Sequence, residues 1–170
     1  MSTRNYLQEI DQFESHYQYD GTYMRELLEF TPEGFIKFDH FMPLASHQGT
    51  LDPETYWIAK LAAMQVEDCG DCLQLNIRMA LENNVSKQVI ESVLNGGNGL
   101  ASDLRDLYDF ATHVADHAVI ENELMERINA SFNKTARLEI ALCIATAKVF
   151  PTIKRTLGYT KNCRLVEIKV

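Results

Sequence analysis

Apolar residues recur at helical intervals along nearly the whole chain. Tyr6, Ile10 and Phe13 mark a first segment, and Tyr23, Leu27 and Phe30 mark a second after a break at Asp20-Gly21. Thr31-Pro32 supplies an N-cap and a first-turn proline for a segment carrying Phe35, Phe38, Phe41 and Met42, closed by Pro43 and the polar His47-Gln48-Gly49. Asp52-Pro53 repeats that start signal, and Tyr56 to Val66 reads as a strongly apolar helix. From Cys69 to Glu82, Leu73, Ile77, Ala80 and Leu81 are spaced for burial. Ser86 caps a short helix through Leu94, and Asn95-Gly96-Gly97-Asn98-Gly99 reads as a flexible joint between two halves. Ser102 then caps a helix with Leu104, Leu107, Tyr108, Ala111 and Val114. Leu124 to Phe132 and Ala136 to Phe150 are further helices; Pro151 kinks or ends the last, and Gly158 suits a C′ position. Arg164 to Val170 alternates and reads as a short extended tail. Apolar helices beginning near Thr55 and Thr135 echo each other, without a second cysteine pair. No other alternation supports a sheet, so the expected fold is all-α.

Composition narrows the class. The chain has 170 residues, 46% hydrophobic and 24% charged, which suits a single domain over residues 1–170 with a core that needs no disulfide or metal staple. Disordered and collagenous classes are excluded. Sixteen basic against twenty-four acidic residues leave a formal charge of −8, with no basic cluster to form a nucleic-acid footprint. Arg4, Glu9, Asp11 and Glu14 interrupt the N-terminal stretch where a secretory signal would need an apolar core. The longest apolar run, Ile140 to Ala147, is far short of the roughly 20 residues of a membrane span. A soluble, cytoplasmic protein without membrane or nucleic-acid partners is expected.

The candidate chemistry lies in Cys69-Gly70-Asp71-Cys72. Two thiols at this spacing are compatible with redox chemistry, half of a metal site, or buried structural cysteines. At the opening of a helix, Cys69 falls near the N-cap and Cys72 in the first turn, where unpaired backbone N–H groups favour a thiolate. That geometry makes Cys72 the nucleophile and Cys69 its resolving partner. Glu67, Asp68 and Asp71 oppose it, because nearby negative charge raises a thiol pKa. A structural zinc site needs four ligands, and neither Cys143 nor Cys163 has a partner at finger-like spacing. His113 and His117 lie one turn apart with Asp109 and Glu121, and read as an exposed polar stripe in preference to a metal site. The glycines of 95–99 lack the lysine and preceding strand of a phosphate loop. No cofactor or metal is expected.

The residues Leu51-Asp52-Pro53, Cys69-Gly70-Asp71-Cys72 and Met79-Ala80-Leu81-Glu82-Asn83-Asn84-Val85 resemble the alkylhydroperoxidase D / carboxymuconolactone decarboxylase superfamily over roughly residues 22 to 95. The resemblance implies an all-helical bundle assembling as a homo-oligomer (dimer, trimer or hexamer). It also implies thiol-dependent reduction of hydroperoxides, a peroxiredoxin-type activity, with Cys72 attacking the peroxide and Cys69 as its disulfide partner. Two positions depart from the family. The His expected four residues after the second cysteine is Asn76, and the Glu expected twelve residues before the first is Trp57. Asn exchanges no proton near neutral pH and indole only donates a hydrogen bond, so the proton relay is missing. Glu67 or Asp68 is the nearest substitute base, and His16, His40, His47, His113 or His117 would have to come from another helix or subunit.

The expectation is therefore an oxidoreductase acting through Cys69 and Cys72 on a small hydroperoxide or disulfide, recharged by an unidentified reductant and weakened by the missing relay. The alternative is a non-catalytic helical scaffold or small-ligand-binding protein. A decarboxylase branch would call on Gln74, Arg78 or Arg105 for a small acid, and surface ion pairing explains the arginines equally well. Tyr17, Tyr19, Tyr23, Phe35, Phe38 and Phe41 are read mainly as core packing, with a pocket or oligomer interface as the alternative.

Overall fold

In the computed structural model, which describes residues 5–159, the elements are α1 (Tyr6–Tyr17), α2 (Thr22–Phe30), α3 (Pro32–Ala45), α4 (Pro53–Val66), α5 (Gly70–Glu82), α6 (Lys87–Leu94), α7 (Ser102–Ala115), α8 (Asn122–Ser131), α9 (Lys134–Ala147) and α10 (Val149–Thr156). The described residues form helices and no strands, an all-α fold consistent with the helical bundle expected from the sequence. Cys163 and the alternating tail from Arg164 lie outside the described residues.

The caps show why the helices start where they do. Asp52 accepts from the Thr55 N–H at 3.0 Å, Ser86 from the Val89 N–H at 3.2 Å, and Asn133 from the Ala136 N–H at 3.0 Å. The Ser102 expectation shifts by one residue. The Arg105 N–H bonds the Ala101 carbonyl at 2.7 Å, so Ala101 is the N-cap and Ser102 the first helical residue. Pro43 does not end α3, which runs on to Ala45. Around Pro151 the chain forms two helices. Proline cannot bond the carbonyl four residues back and crowds it, so α9 stops at Ala147 and Pro151 falls in the first turn of α10. Gly158, at φ +77°, closes α10 as the Tyr159 N–H reaches the Lys154 carbonyl at 2.8 Å.

Helix α4 is the centre of the packing. Every residue from Thr55 to Met64 is buried, and α4 contacts α5, α6, α7 and α9. Burying side chains such as Ile58 and Leu61 contributes roughly 1.5–3 kcal/mol each. The two helices that echo each other in sequence, α4 and α9, pack together. A second cluster gathers Ile10, Tyr19, Tyr23, Met24 and Phe35 from the N-terminal helices against Leu75 of α5 and Ile153 of α10. Residues 95–99 are not the loose joint that their glycines suggest. The Gly97 N–H bonds the Ser92 carbonyl at 2.9 Å, and a Cβ on Gly97, at φ +77°, would meet the Tyr108 ring at 2.8 Å. The segment is a packed turn, and α4 touches the helices on both sides of it.

The start of α4 is also tied electrostatically. Burial alone would raise the Asp52 pKa, but hydrogen bonds from the Thr55 hydroxyl and N–H outweigh it and hold the carboxyl below its usual value. A group depressed in this way stabilises the fold fully above its unfolded pKa of about 3.9, and that contribution is lost as pH falls through the folded value. We therefore expect Asp52→Ala to cost about 1 kcal/mol at neutral pH. In thermal melts the gap between wild type and variant should narrow in strong acid; a gap that widens there contradicts this account.

Candidate functional site

Cys69 is the N-cap of α5, its carbonyl accepting from the Leu73 N–H at 2.9 Å, and Cys72 lies in the first turn. The two are joined by a disulfide with their Cα atoms 5.3 Å apart. Both are buried, at 0% and 2% exposure, yet they differ in access. Cys72 lines a cavity of about 770 Å³, and Cys69 is not part of its wall.

The helices meet around this cavity in a simple way. Phe13 and Tyr17 of α1, Tyr19, and Tyr23 of α2 make an aromatic side. Trp57, Lys60 and Met64 come from one face of α4, as spacings of three and four residues require. Leu75, Asn76 and Met79 come from α5, and Phe150 from α10. Of the aromatics singled out in the sequence, Tyr17, Tyr19 and Tyr23 line the cavity. Phe35 and Phe38 pack in the N-terminal cluster, and Phe41 packs on Phe150 with ring centres 6.0 Å apart. The N-terminal wall is tied to α5 through polar contacts. Arg78 donates to the Tyr17 carbonyl and, at 3.1 Å, to the Gln18 carbonyl, while the Tyr17 hydroxyl donates to Glu82 at 2.7 Å. Burial and then the Glu82 hydrogen bond push the Tyr17 phenol up to about 12.

The two relay positions both face the cavity, and neither offers an acid or base. Asn76 donates its amide to the Cys72 carbonyl at 2.7 Å, one turn back on its own helix. Trp57 is buried, and its indole N–H has no hydrogen-bond acceptor among the described residues. The suggested substitutes Glu67 and Asp68 are not brought to the cavity. The Glu67 carboxylate lies 3.8 Å from Lys148 and 3.7 Å from Arg155, an ion-pair cluster that competes with any role as a base. Among the histidines, His40 reaches the cavity wall beside Asp39. His16 is bonded to Glu82 at 2.5 Å, and His113 and His117 engage the Asp109 carbonyl and Lys148 respectively. Arg105 is paired with Asp109 at 2.9 Å.

Two buried lysines at the site were missed in the sequence reading. Lys60, 3% exposed in the middle of α4, donates to the Ala45 carbonyl at 2.9 Å, the Thr146 hydroxyl at 3.1 Å and the Cys143 carbonyl at 3.3 Å. Burial lowers its pKa, opposed by the neighbouring Cys143, whose own thiol burial pushes up to about 11. A single lysine inside the apolar run Tyr56 to Val66 was the available signal. Lys154 of α10 approaches Asp71 at 3.6 Å and lies over the rings of Tyr19 and Tyr23, at 4.7 and 5.9 Å from their centres. Burial raises the pKa of both tyrosines, keeping their phenols neutral. Nothing in local spacing announces Lys154. Chemically, the site combines a disulfide-linked cysteine pair at a helix N-terminus, with Cys72 lining a cavity that has an aromatic side, and cations set against the acids around the pair.

Comparison with known proteins places this arrangement. Residues 32–98, from the first residue of α3 to the turn after α6, match the carboxymuconolactone decarboxylase family. An alginate lyase of Pseudomonas putida (strain GB-1) is 31% identical over 103 residues, covering 56% of this chain and 26% of that protein. The chain thus spans about a quarter of the length of the curated relative that it matches. No solved structure matches it. Through residues 32–98, which contain the Cys69–Cys72 pair and the cavity faces of α3, α4 and α5, the chain carries a carboxymuconolactone decarboxylase family domain.

Proposed function

We propose that the protein is a dithiol oxidoreductase that reduces organic hydroperoxides in the cavity beside Cys72. The carrying observation is that Cys72, already within bonding distance of Cys69, lines that cavity. In the reduced protein the Cys72 thiolate attacks one peroxide oxygen. The O–O bond breaks, a sulfenic acid forms on Cys72, and the departing alkoxide takes a proton to leave as an alcohol. The Cys69 thiol then displaces hydroxide, released with a proton as water, and the S–S bond forms. The peroxide gains two electrons and the dithiol loses two. An external dithiol recharges the pair by exchange through a mixed disulfide.

The mostly apolar walls favour a substrate with a hydrocarbon body, and the Trp57 indole N–H is a fitting donor for its oxygen. Without an acid or base at residues 57 and 76, turnover is expected to be roughly 10²–10⁴-fold below that of a site with a working relay. Among the described residues no helix is long and apolar enough to cross a membrane. The reading includes assembly with further copies of the same chain, for which the outward Leu138 and Leu142 of α9, 59% and 39% exposed, offer an apolar face. Light scattering that finds only a monomer would remove that part.

Two measurements test the reading. Cumene hydroperoxide added to the reduced protein should consume the thiols of Cys69 and Cys72 and leave the buried Cys143 free. Cys72→Ser should abolish the loss, and Cys69→Ser should stall at a sulfenic acid trappable with dimedone. Thiols that persist unchanged favour instead a scaffold or ligand-binding protein. The chain's single tryptophan is Trp57, so 2-phenyl-2-propanol, the alcohol product of that reduction, should shift its fluorescence saturably. A flat titration argues against this cavity as the binding place.

A further inference from the structure

The disulfide sits among carboxylates, with Glu67 and Asp68 before it and Asp71 inside it. Charge of that sign disfavours a thiolate, but the fold sets cations against it from helices outside the family match. Lys148 and Arg155 take Glu67. Lys154 takes Asp71 at 3.6 Å, with its own side chain 2% exposed and that of Asp71 37% exposed. Tyr19 and Tyr23, whose faces cover the Lys154 ammonium, line the same cavity as Cys72. The charge is therefore enclosed behind the cavity wall, beside the residue that precedes Cys72, where water and salt screen it far less than at the surface.

We propose that Lys154 is a positioning residue of the dithiol site: its buried ammonium, held by Asp71 and the faces of Tyr19 and Tyr23, stabilises the Cys72 thiolate once the disulfide is reduced. The inference rests on the reading of Cys72 as the reactive thiol and supplies electrostatically part of what Trp57 and Asn76 do not. Lys154 transfers no proton; the thiol loses its proton to solvent. Other charged or titratable groups also face the cavity. Lys60 from α4 is occupied by the Ala45 and Cys143 carbonyls and the Thr146 hydroxyl, while His40 and Asp39 come from α3. Tyr17, Tyr19, Tyr23 and Tyr56 are all raised by burial and stay neutral at ordinary pH.

The test is the pH dependence of Cys72 alkylation by iodoacetamide in the full-length protein reduced with a phosphine, read by mass spectrometry. Lys154→Met should raise the pH midpoint by about one unit, roughly a tenfold loss of alkylation rate at neutral pH. Lys154→Arg should keep the midpoint near wild type. Asp71→Asn, which removes the carboxylate and leaves the ammonium, should lower it. A purely structural role would not move the two midpoints in opposite directions. The proposal is overturned if a folded Lys154→Met leaves the midpoint unchanged, or if Asp71→Asn raises it or leaves it in place. Should Lys154→Met not fold, Asp71→Asn and Lys154→Arg still decide. A wild-type Cys72 that never alkylates defeats this proposal and the oxidoreductase reading together; one that alkylates with a midpoint indifferent to Lys154 defeats this proposal alone.

Discussion

A helix with no solvent-facing side in its middle must be wrapped by its neighbours, and the structure is organised around that requirement in α4. From Thr55 to Met64 nothing is left exposed, so α5, α6, α7 and α9 are all drawn onto it. The one charge in that stretch, Lys60, would be costly to bury alone. Its three N–H donors instead meet the Ala45 and Cys143 carbonyls and the Thr146 hydroxyl. The same contacts that satisfy the ammonium tie the end of α3 and the C-terminal half of α9 to α4. The opening of α5, where the cysteines lie, follows α4 after only a short turn and inherits its placement.

The cavity divides its labour between the family domain and its flanks. Residues 32–98 carry the sulfurs and the faces of α3, α4 and α5, while Tyr17, Tyr19 and Tyr23 arrive from before the matched span and Phe150 from after it. Most of the wall around Cys72 therefore comes from the matched span, and the flanking helices close it with an aromatic side. The flanks also alter the electrostatics, because Lys148, Lys154 and Arg155 all follow the matched span and all approach acids near the disulfide. The family match covers α3 to α6 and the cysteine pair, while the cations set against the neighbouring acids come from outside it.

The sequence was most legible where structure is set within a few residues. Asp52, Ser86 and Gly158 end or begin helices where their side chains or backbone freedom predict, because the bonds involved span only three to five positions. It was less legible where two local rules compete. Ser102 is a good cap, yet the helix's first backbone bond starts at Ala101. Pro151 reads as a stop, yet proline is equally at home in the first turn of a new helix. The glycines of 95–99 signal freedom in isolation, and it takes the Tyr108 ring to convert them into a packed turn.

By itself the sequence determined the all-helical fold, the placement of Cys69 and Cys72 at the start of a helix, and the absence of an acid or base at residues 57 and 76. Periodicity, capping and motif spacing are properties of neighbouring residues. Which groups stand against the dithiol was decided only by the tertiary structure. It moved Glu67 into a cluster with Lys148 and Arg155, brought His40 to the cavity, and set Lys154 beside Asp71. These are encounters between side chains far apart along the chain, made by the packing of α10 and the N-terminal helices around α4 and α5, and no local pattern encodes them.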